Sequence, residues 1–424
     1  MSEIIEQAAI GMMLRESDNY IKAVSLGVTE EHFMFPSKKE IFSLINEQSL
    51  LGKAIGPYDI HEIASDDLKL EIINCVEKSP LTENISFWCQ ELINGAWRRM
   101  AGLKLNELSR KILTNAPFNP IDKLVAEISD TAFELINFEK MCQTKSIKDI
   151  CVEIIPVIEK RMLDYKGQKA IGISTGLKKL DDNIQGFVKG RFYILAARTG
   201  VGKTSLATFF AHKAMLQKKS VAYFTVEMTD LEIIEKHISI SSRVNGGKLF
   251  NGNLSDEDLD SIVFSIRELS QMDGFVNSKF GRSLQAIETE SKILKRQNKL
   301  DFLIIDYIGQ VEITGKKFTT RQAELSEITA RLQSLALSLN IPILAVSQIN
   351  REAEKFDEPQ NHHLKDSGSI EQDASVIILL HRKEQRAGEP MLLIVSKNRY
   401  GNKGKFYIDC DFANNVFSDS GKLV

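Results

Sequence analysis

Several familiar compositional signals are missing from this chain. Its five cysteines, Cys75, Cys89, Cys142, Cys151 and Cys410, form no C-x-x-C pair. That excludes the usual thiolate metal site or disulfide frame and leaves buried, reduced thiols as the expectation. No apolar run approaches the ~18 residues of a membrane span. The opening Met-Ser-Glu-Ile-Ile-Glu-Gln is acidic where a secretory leader is basic. A cytoplasmic protein with no membrane partner is expected. Charge is almost balanced, with 54 Lys plus Arg against 57 Asp plus Glu and a formal net charge of -3. No global field therefore draws the molecule onto a polyanion, and any such contact must be local. There is no internal repeat and no low-complexity tract. His362-His363 could suggest a metal ligand pair, but adjacent side chains in a polar loop usually point apart, so no metal is expected there.

What is present falls into two patterns. A chain of 424 residues exceeds one ordinary core, so two domains are expected. Residues 1–140 read as an all-α domain. Ile41, Phe42, Leu44 and Ile45 follow a polar start, and Phe87 to Leu113 keeps helical spacing despite Gly95 and Gly102. A last helix has Asn119 as N-cap, Pro120 at its first position, and Leu124, Ile128, Thr131 and Leu135 on one stripe. Residues 141–170 read as a linker. Ser146 and Asp149 open an amphipathic segment through Ile150, Ile154, Val157, Ile158 and Met162, in which Pro156 predicts a kink or an early end. The apolar stripe must be covered, and a neighbouring subunit is the expected cover.

From 171 to 424, apolar runs at 191–197, 220–226, 302–306, 341–346, 375–380 and 391–396 alternate with helical stretches such as Leu325, Ile328, Leu332, Leu335 and Leu339. Such alternation implies a mostly parallel, buried sheet, hence an α/β fold. Runs 391–396 and 405–410 are joined by Asn- and Gly-containing residues that suit a hairpin.

The most informative stretch is Ala197-Arg-Thr-Gly-Val-Gly-Lys-Thr-Ser205, between the strand-like Phe192–Ala197 and a helix-like segment. It fits the phosphate-binding pattern G-x-x-x-x-G-K-[ST], with Ala197 in place of the first glycine. Arg198, Thr199, Gly200, Val201, Gly202, Lys203, Thr204 and Ser205 form the cradle. Gly200 and Gly202 let backbone amides approach phosphate oxygens, and the helix start adds its partial positive charge. Lys203 reaches the β and γ phosphates, and the Thr204 hydroxyl serves Mg2+. A nucleoside triphosphate is the implied ligand.

Hydrolysis also needs a metal anchor, a group for the water and positive charge for the transition state. Leu303-Ile-Ile-Asp306 is a buried strand ending in a carboxylate, so Asp306 is the expected metal-side acid. Glu227 closes Val221-Ala-Tyr-Phe-Thr-Val226 in the same way and is the candidate proton acceptor, with a helix-capping role as the competing reading. Gln348, after Ile343-Leu-Ala-Val-Ser347, offers an amide to sense a γ-phosphate.

The ordered blocks A-A-R-T-G-V-G-K-T, Y-F-T-V-E-M, L-I-I-D-Y-I, A-V-S-Q-I-N-R, L-K-D-S-G-S-I-E-Q-D-A-S and S-K-N-R-Y-G resemble the DnaB-type replicative DNA helicases over almost the whole chain. The run Asp366-Ser-Gly-Ser-Ile-Glu-Gln-Asp373 is more specific to that family than the phosphate loop. Glu6-Gln-Ala-Ala-Ile-Gly11 and Trp97-Arg-Arg99 resemble the family's helical collar. The resemblance implies a RecA-like motor in 171–424, ATP and Mg2+ as ligands, and a homo-hexameric ring with nucleotide between subunits. It also implies movement 5′ to 3′ on single-stranded DNA, with primase and a helicase loader as partners. On the family's pattern Lys397 and Arg399 reach the γ-phosphate of a neighbouring subunit, while Lys365, Asp366 and Gly368 fall on the loop that grips DNA phosphates. Lys365 stands where the family usually has Arg, so a looser grip is expected. Tyr400 replaces a common Asn, and Thr199 a common Pro. The alternatives are a RecA-like ring ATPase without unwinding, or a nucleotide-gated recruiter of primase or loader.

Overall fold

The computed structural model describes residues 2–81, 84–115, 128, 131, 147–167, 170–315, 317–350, 353, 356, 358–364, 367–382 and 389–422. Of the expected features, the helix opened by Asn119 and Pro120, Cys142, Ser146, Lys365 and Asp366 lie outside these residues, apart from Ile128 and Thr131 on that helix. The chain divides into two compact units, Met1–Val152 and Glu153–Val424.

In the first unit the described residues form the helices Ser2–Arg15, Ser17–Ser25, Pro36–Leu50, Pro57–Ile63, Asp66–Lys78 and Ile85–Asn115. Their apolar faces meet in one core that includes Ile10, Met13, Ile41, Ile45, Ile60, Cys75 and Cys89. The buried Glu6 carboxylate accepts the amides of Met34 at 3.0 Å and Phe35 at 3.1 Å. It thereby satisfies donors at the start of Pro36–Leu50, where negative charge is favoured. The last helix runs unbroken through Gly95 and Gly102, as its spacing predicts.

The second unit is built on a nine-stranded sheet. Its strands are β1 (Phe192–Ala197), β2 (Val221–Thr225), β3 (Gly274–Asn277), β4 (Phe302–Asp306), β5 (Ile343–Gln348), β6 (Val376–His381), β7 (Met391–Asn398), β8 (Gly404–Asp411) and β9 (Val416–Asp419). Their order is β3-β2-β4-β5-β1-β6-β7-β8-β9. The six strands from β3 to β6 are parallel, and β7, β8 and β9 continue antiparallel. Strands β1, β2 and β4 are buried at every position, because a parallel sheet is covered on both faces. One face carries the helix Lys203–Leu216, whose Leu206, Phe209 and Phe210 join Tyr193, Leu195, Tyr223 and Ile304 in a common cluster. Phe187 stacks on Phe302 at 4.7 Å and meets Phe210 edge-on at 5.3 Å. The helix Arg321–Leu339 packs against β1 and β5 with Leu325, Ile328, Leu332 and Leu335 buried.

Four expectations are corrected. The segment Ile147–Lys166 is one helix running through Pro156, so the proline does not end it. Ile150, Ile154, Val157, Ile158 and Met162 are exposed along it, and water can satisfy the carbonyl that loses its amide partner. Cys75 and Cys89 are buried, but Cys151 on this helix is exposed. The rings of His362 and His363 do not point apart: a short 3-10 turn, Asn361–His363, brings them to 4.0 Å, with Phe356 at 4.7 Å from His363. Finally, β3 and β9 have no counterpart among the predicted runs. Each has four residues and lies at a sheet edge, half-exposed, where a sustained apolar run is not required.

Candidate functional site at two edges of one sheet

Parallel strands end their carbonyl termini on one edge, and four of them deliver candidate groups there. β1 runs directly into the loop 198–202, after which the helix Lys203–Leu216 begins. The loop closes because Gly200 and Gly202 take φ of 80° and 105°, values that side chains with a Cβ rarely adopt. At Gly202 there is also no room, since a Cβ would lie 2.4 Å from the Phe412 ring. Across the loop, Lys203 Nζ donates to the carbonyl of Arg198 at 3.2 Å. Leu206 N donates to Gly202 O at 3.0 Å, which fixes the helix start, and Val201 N donates to Arg198 O at 3.3 Å, which tightens the loop before it. Ala197 sits wholly buried at the end of β1, so the position of the pattern's first glycine belongs to the core here.

Asp306 ends β4, two strands away, and Gln348 ends β5 between them, level with Ala197. Glu227 follows β2, the neighbour of β4 on the other side. The groups interact. Asp306 is 1 % exposed. Burial raises its pKa, while the hydroxyls of Thr204 and Tyr223 and the ammonium groups of Lys203 and Lys236 pull it back. Glu227 is held above the ordinary carboxylate range by partial burial and by the charge of Asp306, with Lys203 opposing. Lys203 is lowered by burial and supported by Asp306 and Glu227. An exposed carboxyl of raised proton affinity, a buried ammonium and a buried second carboxylate therefore share one edge of the sheet, a combination of the kind found where general-base chemistry is done.

The Asp306 carboxylate fits a magnesium ion by its own state. Its Oδ2 accepts from Tyr223 Oη at 2.9 Å, whereas its buried Oδ1 has no hydrogen bond. With the Thr204 hydroxyl beside it, this is a pair of hard oxygen donors with one acceptor to spare. Among the described residues no three His, Cys, Asp or Glu side chains converge on a possible metal ion. Mg2+ shared between a hydroxyl, a carboxylate and phosphate oxygens does not need such a cage.

Lys397 and Arg399 are elsewhere. Lys397 pairs with Ile377 in the β6–β7 ladder, and the Arg399 amide donates to Ser375 O, whose own amide donates to Phe192 O. Arg399 is thus level with the start of β1, and the phosphate loop with its end. At ~3.3 Å per residue the separation is about 16 Å along the strands, before the lateral offset is added. There Lys397 Nζ donates to the carbonyls of Glu371 and Gln372, and the Arg399 guanidinium to that of Gln372, at the C-terminus of the helix Ser367–Asp373. Cations suit that end of a helix. The turn is held by Asn398, whose side-chain amide donates to Asn183 O at 3.1 Å, and Tyr400 lies under the Arg191 guanidinium at 3.7 Å. Gly368, near the start of the same helix, faces open space.

Three contributors escaped the sequence reading. Lys236, half-hidden in Asp230-Leu-Glu-Ile-Ile-Glu-Lys-His, sends Nζ to Ser205 Oγ at 3.3 Å and Asn415 Oδ1 at 3.4 Å. Its signal is a lysine next to the buried stripe Ile233, His237 and Ile240. Tyr223 reads as one more apolar strand residue until its hydroxyl is placed. Phe412, from the β8–β9 turn, covers the phosphate loop and takes the Arg382 guanidinium at 5.1 Å from its ring centroid; no local pattern links it to that loop.

Comparison with known proteins adds a family to this geometry. Residues 172–419 match the DnaB-like helicase C terminal domain, and residues 2–93 the DnaB-like helicase N terminal domain. The chain is 26% identical over 417 residues to the replicative DNA helicase DnaC of Bacillus subtilis (strain 168), covering 94% of this chain and 90% of that one. It is 30% identical over 292 residues to the replicative DNA helicase DnaB of Geobacillus stearothermophilus, covering 67% and 64%. Among solved structures, a DnaB-like replicative helicase described with its interactions with primase superposes with a TM-score of 0.69 at 23% identity, over 98% of this chain and 99% of that one. A second solved structure, of an isolated ATPase domain, gives 0.60 at 26% identity, over 65% and 99%.

Proposed function

Because the chain belongs to the DnaB-like helicase family, we infer that it is a replicative DNA helicase that couples ATP hydrolysis to movement on single-stranded DNA and to duplex unwinding. The observation that carries the mechanism is the separation of its charged groups onto opposite edges of one sheet. The amides of 198–202 and the Lys203 ammonium hold the phosphates. Thr204 and Asp306 would hold Mg2+, which would supply positive charge against the phosphates when bound. Glu227 takes a proton from the attacking water, its raised proton affinity matching that role. The Gln348 amide reports the γ-phosphate to β5.

Lys397 and Arg399 cannot reach the loop of their own chain, so they serve the γ-phosphate of the next subunit in a homo-hexameric ring. Arg supplies a permanent planar charge for the transition state. In doing so the two cations leave the carbonyls of Glu371 and Gln372, so nucleotide at one interface bears on the helix Ser367–Asp373 of the subunit that lends them. Lys365 and Asp366, which precede that helix in the sequence, and Gly368 near its start grip DNA phosphates through a point charge and backbone amides. Stepping proceeds 5′ to 3′ as successive interfaces bind, hydrolyse and release. A primase and a loader are the proposed partners of the assembly.

Strand displacement on a forked duplex with ATP tests this directly. Unwinding that needs ATP, and fails when only the 5′ arm is removed, is expected. ATPase activity stimulated by single strands without displacement would favour a ring ATPase or a recruiter.

A further inference from the structure

We propose that Tyr223 is a positioning residue for the magnesium-side carboxylate, its hydroxyl fixing the orientation of Asp306 so that one oxygen is reserved for the metal ion. Tyr223 is 2 % exposed and lies in an apolar cluster with Phe302 and Ile304, where a phenylalanine would pack equally well. A hydroxyl in such a place is costly unless it is bonded. Its partner is Asp306 Oδ2, at 2.9 Å. The β2–β4 register makes the contact possible: Tyr223 is paired with Ile304 and Thr225 with Asp306, so phenol and carboxylate are diagonal neighbours on one face.

A phenol has a single proton to give, and it goes to Oδ2. The other oxygen, Oδ1, is buried and has no hydrogen bond. The contact therefore does more than satisfy a buried group: it separates the two carboxylate oxygens into one held and one available. Behind the phenol stands the helix Lys203–Leu216, where Thr208 Oγ1 donates to the carbonyl of Thr204 at 2.8 Å, anchoring the turn that presents the other proposed magnesium ligand. Without the phenol hydroxyl, Asp306 keeps only the Thr204 hydroxyl and the ammonium groups of Lys203 and Lys236 as polar neighbours, and the two donors for magnesium lose their fixed relation.

This rests on the assignment of Thr204 and Asp306 to Mg2+, and the test separates the two claims. In the full-length protein, binding of a non-hydrolysable ATP analogue is followed by calorimetry as Mg2+ is added, for wild type, Tyr223→Phe, Asp306→Asn and the double variant. Tyr223→Phe is expected to raise the Mg2+ midpoint about tenfold, the scale of a support that orients a metal ligand, and to leave metal-free analogue binding unchanged. In the Asp306→Asn background it is expected to add nothing. A wild-type midpoint in Tyr223→Phe, or an equal loss in both backgrounds, would overturn the proposal. Wild-type binding indifferent to Mg2+ would overturn the Thr204–Asp306 assignment, and this proposal with it. Should Tyr223→Phe fail to fold, fluorotyrosine labelling of the native chain gives the same decision. The Tyr223 fluorine signal must respond to Mg2+ with analogue bound and not to analogue alone, and a signal indifferent to Mg2+ counts against the proposal.

Discussion

The carbonyl edge of the sheet and its amino edge hold their charges in different company. At the first, Lys203, Glu227 and Asp306 act on one another, each with its proton affinity moved by burial and by its neighbours. At the second, Lys397 and Arg399 rest on backbone carbonyls of the helix Ser367–Asp373, with no phosphate loop of their own within reach. Within a single chain the two sets of charges thus lie at opposite edges of the sheet. Topology alone imposes this, because β7 runs antiparallel to β6 and brings its end back to where β1 begins.

The largest effects separate the edges by what each loses. Lys203→Ala should abolish nucleotide binding and turnover together. Arg399→Ala should keep nucleotide binding and lose about a thousandfold or more in turnover, the usual worth of a finger in trans. Equilibrium binding of a fluorescent ATP analogue beside steady-state ATPase rates checks both. Loss of binding in Arg399→Ala would remove the contrast.

A smaller effect probes the carbonyl edge for space. Gly202→Ala must hold a Cβ at a φ of 105° and against the Phe412 ring. Chemical unfolding should show a loss of about 2 kcal/mol, accompanied by weakened nucleotide binding. Phe412→Ala in the same chain should recover part of the steric share but none of the backbone strain.

The smallest effect lies behind that edge. His212, on the helix that follows the phosphate loop, faces His237, with their Nδ1 atoms 3.3 Å apart. Burial lowers His212 to about 4 and His237 to about 3, with Lys213, Arg243 and the other ring adding to it. Both folded values lie below the unfolded ~6.5, so only the unfolded chain takes up protons between them. Stability is then complete above about pH 6.5 and falls as pH drops toward 4. His237→Gln should flatten that part of the pH profile in urea unfolding, and an unchanged slope would contradict the pair's neutrality.

Most of the carbonyl edge was legible in the sequence. Ala197 to Ser205 declare a loop between a strand and a helix, and Asp306, Glu227 and Gln348 each close an apolar run, so their common edge follows from parallel order. The amino edge was legible only through resemblance, since nothing in Ser396-Lys-Asn-Arg-Tyr-Gly401 says which carbonyls or phosphates its cations meet. Tyr223, Lys236 and Phe412 were hidden for a different reason. A phenol in a strand, a lysine beside an apolar stripe and an aromatic in a distant turn acquire a role only when the sheet brings them to Asp306, Ser205 and Gly202. Pro156 misled because a helix with this much exposed surface tolerates what a buried one does not.

Mixing Arg399→Ala protein with Lys203→Ala protein tests the shared site most directly. Each alone should be inactive. In mixed assemblies the intact phosphate loop of one variant meets the intact cations of the other, so ATPase activity should return and peak near equal proportions. No recovery at any ratio, with mixing verified by native mass spectrometry, would contradict a site divided between two copies of the chain.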